Sequence, residues 1–295
     1  MNKVRYTQTY LCLCVLFAII TLVYGNVAQT TLMVGLAISV ALLGLPHGAL
    51  DFSIARALKL ANSLSAASIF IFVYLLIAGV SIAFWVMFPA LALSLFLLIS
   101  VYHFASDWRT EMPSFSALSL ASIVLSGPAI FHAPAVLQLF QNLFVSEQNA
   151  ITIVLAMRTV FVCSSLIFIV FLSKVSYVRH QKWSWSLSEY LTLIMSALLL
   201  PPLLHFGLYF CVLHSPKHLI DVGDNLGFTF KQTIIASLPF VVLTVLIALL
   251  LYFQFSSINI NIDLLRWIFI GLFGLTMSHM FLVNIWHRST QTTRL

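Results

Sequence analysis

The sequence predicts an all-α fold, a polytopic bundle of about ten transmembrane helices with both termini in the cytoplasm, and three observations predict it. The chain of 295 residues is 61% apolar and 7% charged, far from the roughly one quarter of charged residues in soluble domains. Its mean hydropathy is +1.06. Apolar runs close to the ~20 residues that a helix needs to cross a bilayer recur along its whole length. With 14 Lys and Arg against 8 Asp and Glu the net charge is +6, an excess read here through the positive-inside rule. No basic patch interleaved with surface aromatics points to nucleic acid. The expectation is one integral membrane domain over residues 1–295, multi-pass in the cell (inner) membrane, with the lipid bilayer as its surroundings.

The runs fall at about 9–24, 31–50, 66–88, 89–106, 115–136, 151–172, 187–200, 203–222, 233–254 and 264–286. The first follows Lys3 and Arg5 and ends near Val23-Tyr24-Gly25, a weak cleavage-like ending; it is read as a retained helix. Pro89 separates the third run from the fourth, and Pro201-Pro202 the seventh from the eighth. Proline lacks an N–H and restricts the residue before it, so each reads as a turn between helices. The alternative at 187–213 is one long kinked helix. Charge decides between them. Ten spans place Lys3, Arg5, Arg56, Lys59, Arg109, Lys174, Arg179, Lys182, Lys231, Arg288 and Arg294 on the cytoplasmic side, with Arg158 and Arg266 inside helices. Nine spans put Lys217, Lys231, Arg288 and Arg294 outside. Cys12, Cys14, Cys163 and Cys211 form no C-x-x-C and lie in apolar segments, where a thiol behaves as a small hydrophobe.

Ionisable groups within a membrane are costly and mark function. The second span ends in His47-Gly48-Ala49-Leu50-Asp51-Phe52 and the fourth in His103-Phe104-Ala105-Ser106-Asp107-Trp108. Both read His-x-Ala-x-Asp-aromatic, an internal echo that sets a carboxylate one helical turn from a histidine. The eighth carries His214-Ser215-Pro216-Lys217-His218 and then Asp221. With ten spans these helices run the same way, and at ~1.5 Å per residue His47, His103, His214 and His218 lie roughly 17–24 Å from the outer end, in one layer. Imidazoles suit iron, zinc, copper and nickel, and a ligating histidine commonly gives its other N–H to a carboxylate. The four histidines are therefore candidate metal ligands. Asp51 and Asp107, and more weakly Asp221, are candidates to orient them.

His279, on the last span, shares this depth and is read as a substrate contact or a supporting residue. His132, on a span running the other way, falls near the outer surface. His205, His180 and His287 are expected at solvated positions. Tyr102, Phe104 and Phe210, with Phe52, Trp108, Phe206 and Tyr209, flank the histidines in sequence and are candidates to line an apolar tunnel.

At His47-Gly48-Ala49-x-Asp51, Tyr102-His103-Phe104, Gly127-Pro128 with His132, His214-x-x-x-His218 and His279-Met280, over about residues 40–285, the chain resembles the Brp/Blh family of bacterial and haloarchaeal membrane β-carotene 15,15′-dioxygenases. The resemblance implies an Fe(2+)-dependent enzyme that cleaves the central double bond of all-trans-β-carotene with O2 to give two all-trans-retinal, supplied to a microbial rhodopsin. It also implies iron ligation by His47, His103, His214 and His218. Two positions depart from the family pattern: Lys217 stands where arginine is usual, and Ser278 where a proline commonly precedes the histidine. Lysine keeps the charge and loses the planar fork. The rival readings are a histidine-ligated membrane desaturase or hydroxylase, which needs about eight clustered histidines, and a non-enzymatic metal transporter.

Overall fold

The computed structural model describes residues 3–25, 28–109, 111–178, 183–255 and 260–292, and among them there is helix and no strand. Among the described residues, seven helices are long and apolar enough to cross a membrane: Thr30–Ala57, Leu64–Met87, Pro89–Asp107, Ser114–Phe131, Glu147–Lys174, Phe230–Gln254 and Ile262–Trp286. Ten were expected. Two of the other three runs appear as the shorter apolar helices Gln8–Val23 and Tyr190–Leu199. The third, 203–222, is broken into Pro202–Leu208, a π-helical turn Tyr209–His214 and Ser215–Asn225. Its second half carries Lys217, His218 and Asp221, which lower its hydropathy. The backbone leaves helical geometry at Pro201 (φ −52°, ψ 145°), so 187–213 is not one continuous helix.

The chain forms two compact units, which exchange at residues 32/33, 89/90 and 214/215. The first holds α1 (Lys3–Tyr24), α6 (Pro89–Phe104), a 3-10 turn (Ala105–Asp107), α7 (Ser114–Phe131), α8 (Ala133–Asn142), α9 (Glu147–Val178), α10 (Trp183–Leu199) and α11 (Pro202–Leu208) with the π turn that ends at His214. At its centre lies α7, packed on α9 and α10. Its sequence, rich in Ser, Ala and Gly, lets backbones approach closely, as membrane helices do where lipid supplies no hydrophobic drive. A Cβ on Gly127 would stand 2.8 Å from that of Ala197 on α10.

Pro128 lies inside α7 without ending it. Its missing N–H leaves the carbonyl of Val124, one turn back, without its helical donor. That carbonyl accepts from His205 Nε2 at 2.9 Å, and His205 Nδ1 lies 2.9 Å from Ser196 Oγ, which also meets the Tyr10 hydroxyl at 3.0 Å. His205 is thus 1% exposed and engaged at both ring nitrogens, which corrects the expectation of a solvated position. A proline-freed carbonyl in an apolar interior needs a donor, and this histidine provides it.

The second unit holds most of α2 (Gln29–Ser39), a π turn (Val40–Gly44), α3 (Leu45–Gly48), α4 (Asp51–Ala57), α5 (Leu64–Met87), α12 (Ser215–Asn225), α13 (Phe230–Phe255) and α14 (Ile260–Thr292). Leu50, Ile54, Leu219, Val222 and Leu282 form a core shared by α4, α12 and α14. Gly274 brings α14 onto α5, where a Cβ would meet Ile82 and the Ala78 carbonyl at 3.0–3.1 Å. After α12, Gly227 adopts φ +72° and the chain closes with bonds from Phe228 N to Gly223 O and from Gly227 N to Asp224 O. This left-handed cap stops the helix. Thr229 and Gln232 then open α13 with a capping box.

Gly127→Val should force α7 and α10 apart, at a cost of about 1–3 kcal/mol, read as a lower unfolding midpoint of the purified protein. Gly35→Ala, whose Cβ would meet nothing within 4 Å, should leave the midpoint where it is.

Candidate metal-binding histidines

In the first unit, α6 delivers His103 and the π turn delivers His214, both buried. His214 Nδ1 lies 3.1 Å from Asp107 Oδ2 and 3.2 Å from Oδ1. The Tyr209 hydroxyl donates to the same carboxylate at 2.7 Å. A carboxylate is an acceptor, so Nδ1 of His214 carries a proton, and in the neutral ring Nε2 then carries the lone pair. His214 Nε2 stands 3.1 Å from His103 Nε2. Two nitrogens bound to one ion at ~2.1 Å are themselves roughly 3.0–3.4 Å apart, so this spacing suits a shared metal as well as a hydrogen bond. Phe104 and Phe210 pack on the His214 ring, with centroids at 4.6 and 5.9 Å, and Trp108 stacks on Tyr209. Phe206 stacks in turn on Phe210.

In the second unit, His47 follows a π turn closed by a bond from Leu45 N–H to Val40 O, with Pro46 next in line. Ser215 Oγ donates to the carbonyls of Leu43 and Gly44, and His47 Nδ1 donates to Gly44 O with Ser215 Oγ 3.1 Å away. A carbonyl only accepts, so His47 is also protonated at Nδ1. His279, on α14, gives its Nδ1–H to Asp51 Oδ1 at 2.8 Å, while the Tyr74 hydroxyl donates to Asp51 Oδ2 at 2.8 Å. Ser278, the departure noted in the sequence, donates to the Tyr74 carbonyl at 2.8 Å and ties α14 to α5 at that same tyrosine.

His47, His218 and His279 face one another, with ring centroids 5.4–5.5 Å apart for every pair. His47 and His279 are buried and His218 is half-buried. His47 and His279 also each place a ring nitrogen within 4.8 Å of the other's. Imidazoles bound through one nitrogen to a common ion at ~2.1 Å have ring centres roughly 4.5–5.5 Å apart, and a set of neutral nitrogens suits first-row transition metals. The donor chemistry and spacing fit a metal.

The remaining candidates fall as follows. Asp51 and Asp107 are both 3% exposed. Their partners named above come from other elements rather than from the turn before them. The helix tightens between histidine and carboxylate in each case, at Ala49-Leu50 and at the 3-10 turn. Asp221 is exposed. Tyr102 is 52% exposed beneath the Arg109 guanidinium, 4.3 Å from its ring centre. Phe52 packs on Phe70 and Phe240. His132 joins α7 to α8, with Nε2 3.1 Å from Leu198 O. His180 and the side chain of His287 lie outside the described residues. Tyr74 and Ser215 carry none of the expectations above. The signal for Tyr74 was a phenol in the middle of an apolar span, which requires a polar partner.

Residues 38–287 match the protein family described as Beta-carotene 15,15′-dioxygenase. A relative named "Beta-carotene 15,15′-dioxygenase", from uncultured marine bacterium 66A03, is 30% identical over 253 residues, covering 83% of this chain and 90% of the relative. No solved structure matches.

Tyr209→Phe should cost about 1.5–3 kcal/mol by removing a donor from a buried carboxylate. Asp107→Ala should cost more, because it strands both the tyrosine hydroxyl and the His214 N–H. Unfolding of the double variant should then show coupling of at least ~0.5 kcal/mol between the two positions.

Proposed function

The chain belongs to the β-carotene 15,15′-dioxygenase family, and we propose that it cleaves the central 15,15′ double bond of all-trans-β-carotene with O2 to give two molecules of all-trans-retinal. The observation that carries this reading is that the matched residues 38–287 contain every member of both histidine sets. Part of the reading is that His47, His103, His214 and His218 hold one iron(II). The reaction loses one C=C and one O=O bond and gains two C=O bonds, so no proton moves and no acid–base pair is needed. Bound iron(II) supplies the dioxygen chemistry.

The protein then has two tasks. Asp107 and Gly44 O hold His214 and His47 in the tautomer that presents Nε2. Phe104 and Phe210 surround His214 with an apolar wall that suits a polyene and excludes water. The substrate, a long hydrocarbon, is dissolved in the bilayer and enters sideways from it. Ten spans over a single domain of residues 1–295, both termini cytoplasmic, in the cell (inner) membrane, complete the proposal, with retinal passing to a microbial rhodopsin.

Expression in a β-carotene-producing bacterium, followed by pigment chromatography, tests it. Loss of β-carotene with appearance of retinal is expected. Retention of β-carotene without retinal, in membranes that contain the folded, iron-loaded protein, overturns it. His47, His103, His214 and His218 changed singly to Ala should each abolish cleavage and lower iron content, whereas His132→Ala should keep the iron. One iron per chain is expected, against two for a desaturase-type centre.

A further inference from the structure

We infer that His279 is a direct metal ligand, the third imidazole of a face that it forms with His47 and His218, and not a residue that merely supports others. The inference deepens the metal-site reading and rests on it. Three observations within the second unit carry it.

The first is placement. The His279 ring stands 5.5 Å from that of His47 and 5.4 Å from that of His218, and the His47 and His218 rings are 5.5 Å apart. The three are therefore equivalent in spacing. An ion on the common axis of the three rings lies as close to His279 as to His47 and His218.

The second is tautomer. Asp51 accepts the Nδ1 proton of His279, so in the neutral ring the lone pair sits on Nε2, as Gly44 O arranges for His47. A histidine whose Nδ1–H is held by a carboxylate is the arrangement that raises ligand basicity and sets ring orientation. The hydroxyl of Tyr74 holds the other oxygen of that carboxylate. The same chain of tyrosine, aspartate and histidine recurs in the first unit as Tyr209, Asp107 and His214. There it orients a histidine that sequence reasoning assigns to the metal. The two halves of the His-x-Ala-x-Asp echo thus each end in a tyrosine-buttressed carboxylate that orients a histidine from another helix, and His279 occupies the place in one half that His214 occupies in the other.

The third is rigidity. Gly274 lets α14 approach α5 at Ala78 and Ile82, and Ser278 donates to the Tyr74 carbonyl, so the helix that bears His279 is held next to the tyrosine that buttresses Asp51. A ligand needs such support to keep its nitrogen within a fraction of an ångström of the ion.

The test uses the full chain in lipid nanodiscs with cobalt(II) or iron(II) as the probe, comparing wild type with His279→Gln. Glutamine keeps a side-chain N–H for Asp51 but has no imidazole. X-ray absorption should count one imidazole fewer around the ion in His279→Gln, and affinity should fall by about tenfold or more. His279→Gly is the second variant: added free imidazole should restore both the count and the affinity. In Asp51→Asn the affinity should fall while the imidazole count stays at the wild-type value. An unchanged count in folded His279→Gln, with wild type binding its ion, overturns the role of His279 and leaves the metal site standing. Wild type that binds no ion overturns the metal-site reading itself.

Discussion

A carboxylate buried among apolar helices must be surrounded by donors, because the charge cannot be hydrated there. Asp51 and Asp107 are two of only eight acidic residues in the chain, and both are buried. Each solves the problem in the same way, with a tyrosine hydroxyl and a histidine Nδ1–H. The solution has a chemical by-product. Once Nδ1 is the donor, Nε2 is the basic nitrogen, and a pair of structural hydrogen bonds has prepared in each unit a nitrogen of the kind that suits a metal. The orientation of these rings, their spacing from neighbouring histidines and the chemistry proposed for them all depend on those two carboxylates staying satisfied.

Irregular backbone contributes the other acceptors. A π turn precedes His47 and another ends at His214, and prolines stand at 46 and 216. Wide turns of this kind recur at functional positions because they release backbone groups and redirect side chains. At His47 the carbonyl of Gly44 takes the Nδ1–H and leaves Nε2 basic. At Pro128 the released carbonyl of Val124 takes the Nε2–H of His205, whose Nδ1 meets Ser196. The same need for a donor therefore yields a candidate ligand in one place and a structural staple in the other. Which nitrogen faces the carbonyl decides between them.

Much of the fold was legible. Composition alone specified helices in a bilayer, because an apolar chain of this kind must satisfy its backbone internally. The seven long helices fall on runs read from hydropathy. The run at 203–222 differs from these, because a wide turn and a polar second half fall within it. At the candidate site, the histidines and the echo around Asp51 and Asp107 were visible from spacing. Their partners were not. Periodicity places neighbours along one helix, and the tyrosine and histidine that meet each aspartate come from other helices. His205 was misplaced for a related reason: the carbonyl that Pro128 releases comes from another helix, and no local pattern connects residues 128 and 205.

Backbone and carboxylate acceptors fix the rings of His47, His214 and His279 in the Nδ1-protonated tautomer. Nitrogen-15 NMR of the histidine-labelled protein in lipid, with each signal assigned by single substitution, measures this directly. Three imidazoles with a protonated Nδ1 and an unprotonated Nε2 are expected at these positions, with the His214 and His279 protons shifted by their carboxylate partners. Protonation at Nε2 in any of the three, with Nδ1 carrying the lone pair, would contradict it.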